Sequence, residues 1–226
     1  DRLRSRGLGD VYKRQAQYCK SELETYAGVT VYMTRNDNTS PNTDREQRAK
    51  FAAEKGANVL VSIHINSYGK GYTSAHGAEV YYPNSNYNST VSGQGQNLSA
   101  VILKQLTALG LADRGIKIKN SKDGETYPDG SLADYLGINK YAKLYGYPGI
   151  LIEHAYANNV SDAANYLTTD AQLQRLGVAD ATGIAQYFGL QKKKNVSLYG
   201  ICKQETVEGI SAALSYSSDD SNIKFR

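Results

Sequence analysis

Two short apolar runs, each ending in an ionisable residue, constrain this chain more than any other feature. Val59-Leu60-Val61-Ser62-Ile63 runs into His64, and Gly149-Ile150-Leu151-Ile152 runs into Glu153. Short, mostly apolar runs of this kind suit strands covered on both faces, as parallel strands are. A charged group at the end of a core strand is costly unless something pairs with it. In open α/β sheets, sites form beyond the carboxyl ends of the strands.

The rest of the chain alternates in the same manner. Cys19, Leu23 and Tyr26 fall on one helical face between Ala16 and Tyr26, and Gly28 ends that segment. Val29 to Met33 is rich in β-branched and aromatic residues and reads as a strand. Thr43 with Glu46 predicts a capping box, and Gly56 stops the helix that follows. Glu79 to Tyr82 reads as a strand, and Asn97 to Leu109 as a helix with Leu98, Val101, Ile102, Leu106 and Leu109 on one face. A long polar stretch broken by Pro128 and Gly130 comes next. Asp170 caps a last helix carrying Leu173, Leu176, Ile184 and Phe188. Alternation of strand and helix predicts an α/β fold: three αβα layers around a mostly parallel, twisted sheet.

The ends read differently. Asp1 to Gln15 is basic, with five Lys/Arg against two Asp, and lacks sustained periodicity. It is expected to be a foreign or disordered lead-in, so that the first strand of the sheet is missing. Residues 16–190 form the main domain. Lys192 to Lys194 mark a linker, and residues 191–226 read as that linker plus the start of a truncated all-β module, with strand-like Val196–Tyr199 and Ile210–Leu214. The net charge is +4. The lead-in supplies most of it, so no nucleic-acid partner is expected. No apolar run is long enough to span a membrane. Cys19 and Cys202 fit neither a disulfide framework nor a zinc ribbon. The 19 Tyr against 3 Phe and no Trp suit a sugar or peptide groove, and equally a compositional bias.

An imidazole and a carboxylate at the ends of two core strands are what a hydrolytic metal site needs. The neutral imidazole holds the metal and the carboxylate takes a proton from water. On spacing alone, a structural histidine and a salt-bridged glutamate remain the alternatives. His154 points to the opposite side from Glu153 if the strand pattern continues. His76 lies in a Gly/Ser-rich loop. A three-His set of His64, His76 and His154 is a further possibility.

The run from Arg48 through Ser62-Ile63-His64-Ile65-Asn66 resembles the Arg-to-Ser-Ile-His-x-Asn segment of the amidase-3 family. Met33-Thr34-Arg35-Asn36-Asp37 is similar to its Thr-Arg-x-Asp segment, Gly77 to Tyr82 to its next strand, and Pro148 to Glu153 with Asn158 to its catalytic strand and loop. Gly183 to Phe188 is similar to its closing helix. The likeness runs from about Ala16 to Gly189, with Ala53 and Asn58 as departures. It implies that residues 16–190 are a catalytic domain, incomplete at its amino end, of a zinc-dependent N-acetylmuramoyl-L-alanine amidase.

The resemblance implies Zn2+ held by two His and one Glu, with a second Glu in catalysis. His64 matches the last zinc histidine and Glu153 the catalytic glutamate. The other two ligands belong on a first strand and early in the first helix, where Asp1 to Gln15 has neither His nor Glu. The chain as it stands is therefore expected to be impaired. Asn66, Arg35 and His154 are candidate substrate contacts. Tyr127, Tyr135, Tyr141, Tyr145 and Tyr147, between Lys119 and Tyr147, form a groove wall or a surface decoration. Peptidoglycan is the expected partner of a monomer at the cell wall or outside the cell. The rival readings are a non-catalytic wall-binding module on the same fold and a zinc peptidase acting on wall cross-links.

Overall fold

A computed structural model describes residues 8–35, 44–193 and 210–216, with residues 8–9 and 210–216 described as backbone only. In chain order the elements are α1 (Leu8–Leu23), β1 (Val29–Met33), α2 (Arg45–Glu54), β2 (Val59–Asn66), β3 (Ala78–Tyr81), α3 (Ser89–Ala108), β4 (Asp113–Lys117), α4 (Gly137–Leu144), β5 (Gly149–Tyr156), α5 (Val160–Asp162), a π-turn (Ala163–Leu167), α6 (Asp170–Tyr187) and β6 (Ile210–Tyr216). One six-stranded sheet runs in the order β1-β6-β2-β5-β3-β4. The first four of these are mutually parallel, β3 is antiparallel to β5, and β4 is parallel to β3. The α/β class, the mostly parallel sheet and its flanking helices are as the sequence predicts.

Local signals explain the helix ends. Asp44 and Gln47 form the capping box of α2, one residue beyond the expected Thr43–Glu46 pair. Gly56, at φ +64°, ends the segment in the left-handed region that suits glycine. Thr169 and Gln172 cap α6 in the same reciprocal way.

Alternation along the strands sorts the two faces. Val61, Ile63, Ile150 and Ile152 enter the larger core with Leu98 and Ile102 of α3 and Leu173 and Leu176 of α6. Each such side chain, fully buried, contributes about 1.5–3 kcal/mol. Small residues bring the helices together: a Cβ on Gly177 would lie 2.5 Å from the Gln15 carbonyl oxygen of α1. On the other face, Leu60 packs with Ala49 and Ala52 of α2 and Ile138 and Ala142 of α4. These two helices cover the amino halves of β2 and β5. The carboxyl halves, on that face, carry half-buried His64 and Glu153.

Two expectations about the ends are corrected. Residues 8–15 are not a disordered lead-in: they are the first half of α1, with Val11 and Tyr12 buried. The basic Lys13 and Arg14 hide this helical face from a hydropathy reading, and Arg14 pairs with Asp170 of α6. Residues 1–7 lie outside the described residues.

At the other end, Ile210–Tyr216 is not part of a separate module. It is β6, between β1 and β2, with Val29 opposite Ile210 and Ile63 opposite Tyr216. The place between β1 and β2 is thus filled by a strand from the far end of the chain, and both neighbours gain a parallel ladder. Val196–Tyr199 falls outside the described residues. The polar stretch after Leu109 also holds more structure than expected: β4, the helix α4, and a buried polar cluster described below.

Candidate active site

β2 and β5 are immediate neighbours, and His64 is the register partner of Glu153. On the other side of β5, Glu79 of β3 is the partner of Glu153. Directly paired residues project from the same face of a sheet. His64, Glu153 and Glu79 therefore form one row across three strands, on the face that α2 and α4 leave uncovered among the described residues.

The neighbours of this row are specific. The His64 Nε2 lies 3.0 Å from the Ser62 hydroxyl oxygen, and its ring stacks on Tyr12 of α1 with centroids 6.4 Å apart. Glu79 is only 3% exposed. Its Oε1 accepts from the Asn66 side-chain amide and the Tyr81 hydroxyl, both at 2.9 Å. Its Oε2 accepts from Arg114 Nε at 3.1 Å and from Lys117 Nζ. Burial pushes the Glu79 carboxyl up, but the bonds from Lys117, Tyr81 and Arg114 together outweigh it and hold the group below the ordinary glutamate value.

Two β-bulges shape this end of the sheet. The register steps from His64–Glu153 to Asn66–Tyr156, an extra residue in β5 that turns Tyr156 onto the face of Asn66. It steps again from Ala78–Asp113 to Val80–Ile116, an extra residue in β4 beside Gly115, whose φ is +84°. Bulges re-aim side chains and concentrate next to active sites.

The remaining candidates are dispersed. Asn66 joins the row through Glu79. Arg35 is buried just past the carboxyl end of β1, with β6 between β1 and β2. His154 is fully buried on the opposite face, its Nε2 2.8 Å from Asp180 Oδ2 of α6. Burial raises the Asp180 carboxyl, against the pull of His154. That placement gives His154 a buried bond to Asp180 in the core, on the face opposite the His64–Glu153 row. His76 is exposed, with Nδ1 2.9 Å from the Ser74 carbonyl oxygen. Among the described residues, no three or more His, Cys, Asp or Glu side chains gather closely enough to hold a metal ion, so the three-His set is not assembled.

The sequence reading missed Glu79, Arg114 and Lys117. The signal for Glu79 is the one used for His64 and Glu153, an ionisable residue in a short apolar strand. For the cations it is Gly115 inside a strand, a mark of a bulge.

Comparison with known proteins places this geometry. A sequence profile described as N-acetylmuramoyl-L-alanine amidase matches residues 9–186. Among solved structures, Cwp6 from Clostridium difficile aligns at 26% identity and a TM-score of 0.63, covering 80% of this chain and 26% of that one. This chain thus spans about a quarter of that protein. The catalytic domain of CwlV, an N-acetylmuramoyl-L-alanine amidase from Bacillus (Paenibacillus) polymyxa var. colistinus, aligns at 27% identity and 0.59, covering 80% and 84%. The apo form of an N-acetylmuramyl-L-alanine amidase from Mycobacterium abscessus aligns at 22% and 0.60, covering 79% and 77%, a likeness of fold. No protein of curated function matches significantly. With more than half of its length matched by that profile, the chain belongs to the amidase-3 family of N-acetylmuramoyl-L-alanine amidases.

Proposed function

We propose that this chain acts on peptidoglycan, cleaving the amide between the lactyl group of N-acetylmuramic acid and L-alanine of the stem peptide. The observation that carries this reading is the register pairing of His64 with Glu153 on the open face. Family membership supplies the reaction. Among the described residues no helix is long and apolar enough to cross a membrane. The proposed setting is the cell wall, outside the cell, where the protein acts as a secreted, autolysin-type hydrolase.

The family implies a metal, and zinc is the ion we propose. Catalytic zinc takes three protein ligands and keeps one position open. His64 is the one imidazole in the row, and it stacks on the phenol of Tyr12. The described residues bring no three donors together, so they do not make up a catalytic zinc site. The supported chemistry is proton transfer. Glu153 takes a proton from water as its oxygen bonds to the amide carbon. It returns that proton to the nitrogen as the carbon–nitrogen bond breaks. The products are a lactyl carboxylate and an L-alanine amine.

The test is digestion of purified cell wall by the full chain, with and without added zinc. We expect weak release of L-alanine amino termini and muramic-lactyl carboxylates, and less than one equivalent of tightly bound zinc. Glu153→Gln is expected to remove the residual turnover. New amino termini from peptide cross-links would identify a peptidase instead. Retention on wall without any cleavage, with zinc present, would leave only a binding module. Stoichiometric, tight zinc would overturn the incomplete site.

A further inference from the structure

We infer that Arg114 and Lys117 form a subsite for a carboxylate of the substrate, held beside Glu153 by Glu79. The inference rests on the amidase reading and extends it to the peptide. Arg114 and Lys117 are three residues apart in β4. In a regular strand, residues an odd number apart point to opposite faces. Here both reach Glu79 Oε2. The extra residue beside Gly115 makes this possible, at a φ of +84° where a side chain would be strained. Open space surrounds Gly115, so backbone conformation and not crowding calls for glycine. The bulge thus brings two cations onto the face that carries the Glu153 row.

Solvent and ligand can reach these cations: the Arg114 and Lys117 side chains are 32% and 35% exposed, while the Glu79 side chain beneath them is 4% exposed. Arg114 meets Glu79 through Nε, and its guanidinium carbon lies 5.0 Å from the Tyr156 ring centroid. A guanidinium carries five N–H donors; Nε is spent on Glu79 and one further bond goes to Tyr156, which leaves terminal N–H groups for a second acceptor. The charges facing this point are Glu79 and Glu153 against Arg114 and Lys117.

The substrate chemistry fits. In the stem peptide, L-alanine at the scissile bond is followed by a D-glutamyl residue linked through its side chain, with a free or amidated α-carboxyl. That group lies within one residue of the amide to be cut. A two-cation site distinguishes its free acid from its amide.

The probes are N-acetylmuramoyl-L-alanyl-D-isoglutamate and the matching D-isoglutamine amide, bound to the full chain and followed by calorimetry or NMR titration. The expected result is on the order of 10-fold tighter binding of the acid. Arg114→Gln and Lys117→Gln each reduce that preference. The charge-balanced triple variant Glu79→Gln/Arg114→Gln/Lys117→Gln abolishes it while leaving no buried carboxylate unpaired. Arg114→Lys retains part of it. Equal binding of acid and amide by the unaltered chain overturns the subsite and leaves the amidase reading standing, as does a preference that survives in every variant. If neither ligand binds, the substrate reading fails together with the subsite.

Discussion

Lys143 and Glu79 are both buried charges, and the difference between their surroundings separates a part that holds the fold from a part built for solvent and ligand. Lys143 of α4 is 0% exposed and its partner Asp134 1%. All three ammonium protons are directed inward: to Asp134 Oδ2 at 2.9 Å, the Asn84 carbonyl oxygen at 2.9 Å and Asn84 Oδ1 at 2.6 Å. The Tyr127 hydroxyl completes the cluster by donating to Asp134 at 2.6 Å. Burial pulls the Lys143 pKa down, and Asp134 opposes it. Glu79 is as deeply placed, but its cations reach water. A closed ion cluster pins the segment after β4 to the loop after β3. An open one keeps donors available.

The largest effect should come from the closed cluster. Lys143→Ala strands a buried carboxylate, which typically costs about 3–5 kcal/mol. The midpoint of urea unfolding is expected to fall accordingly. A loss under about 1 kcal/mol would mean that water enters the cluster, and the contrast with Glu79 would collapse.

The next contrast is within one strand. Glu153 and His154 are neighbours in β5, yet one is half-buried on the open face and the other is sealed against Asp180. Asp180→Asn weakens that buried bond, at a cost of about 1–3 kcal/mol. The ratio of wall products should stay unchanged, because His154 is buried on the face opposite Glu153. A changed product ratio at unchanged stability would return His154 to the substrate side.

This alternation is legible in sequence, because a strand's period of two places consecutive side chains on opposite faces. The pairing of His64 with Glu153 is nearly so, since both follow apolar runs of similar length and parallel strands align their ends. Glu79 is less visible. Its partners lie 35 and 38 residues away, and one reaches it only through a bulge. The buried Lys143 defeats sequence reasoning altogether: lysine is seldom enclosed, and nothing local announces Asp134 and Asn84 around it. The place of β6 is hidden for another reason. Small, alternating residues such as Ile210-Ser211-Ala212-Ala213-Leu214 suit many sheets, and the sequence does not say which edges will receive them. Tyr12 against His64 is equally non-local, a contact between the first helix and the second strand in chain order.

The open cluster should reveal itself through pH before it does through overall stability. The folded-state pKa of Glu79 is depressed, so its contribution is present above the unfolded glutamate value near 4.3 and is lost as pH falls through the folded value. Glu79→Gln should cost about 1–2 kcal/mol at neutral pH. It should also flatten the acid limb of the stability curve below about pH 4.3. An unchanged acid limb would show that other carboxylates carry it.

The smallest expected stability effect belongs to Arg114, and here the two clusters diverge most clearly. Its side chain is 32% exposed, and Glu79 keeps Lys117, Tyr81 and Asn66 when Arg114 is replaced. Exposed ion pairs are worth about 0–1 kcal/mol after solvent screening. Arg114→Gln should therefore leave the urea midpoint within about 1 kcal/mol of the unaltered protein. Salt provides the sharper measurement: screening at 1 M ionic strength shortens the Debye length to about 3 Å. The small difference between variant and parent should shrink further there, whereas the Lys143→Ala deficit should persist, because solvent ions do not enter its enclosed cluster. A salt-insensitive loss of several kcal/mol at Arg114 would make the Glu79 cluster a structural clasp like that of Lys143. The exposed cations would then have no claim to a ligand.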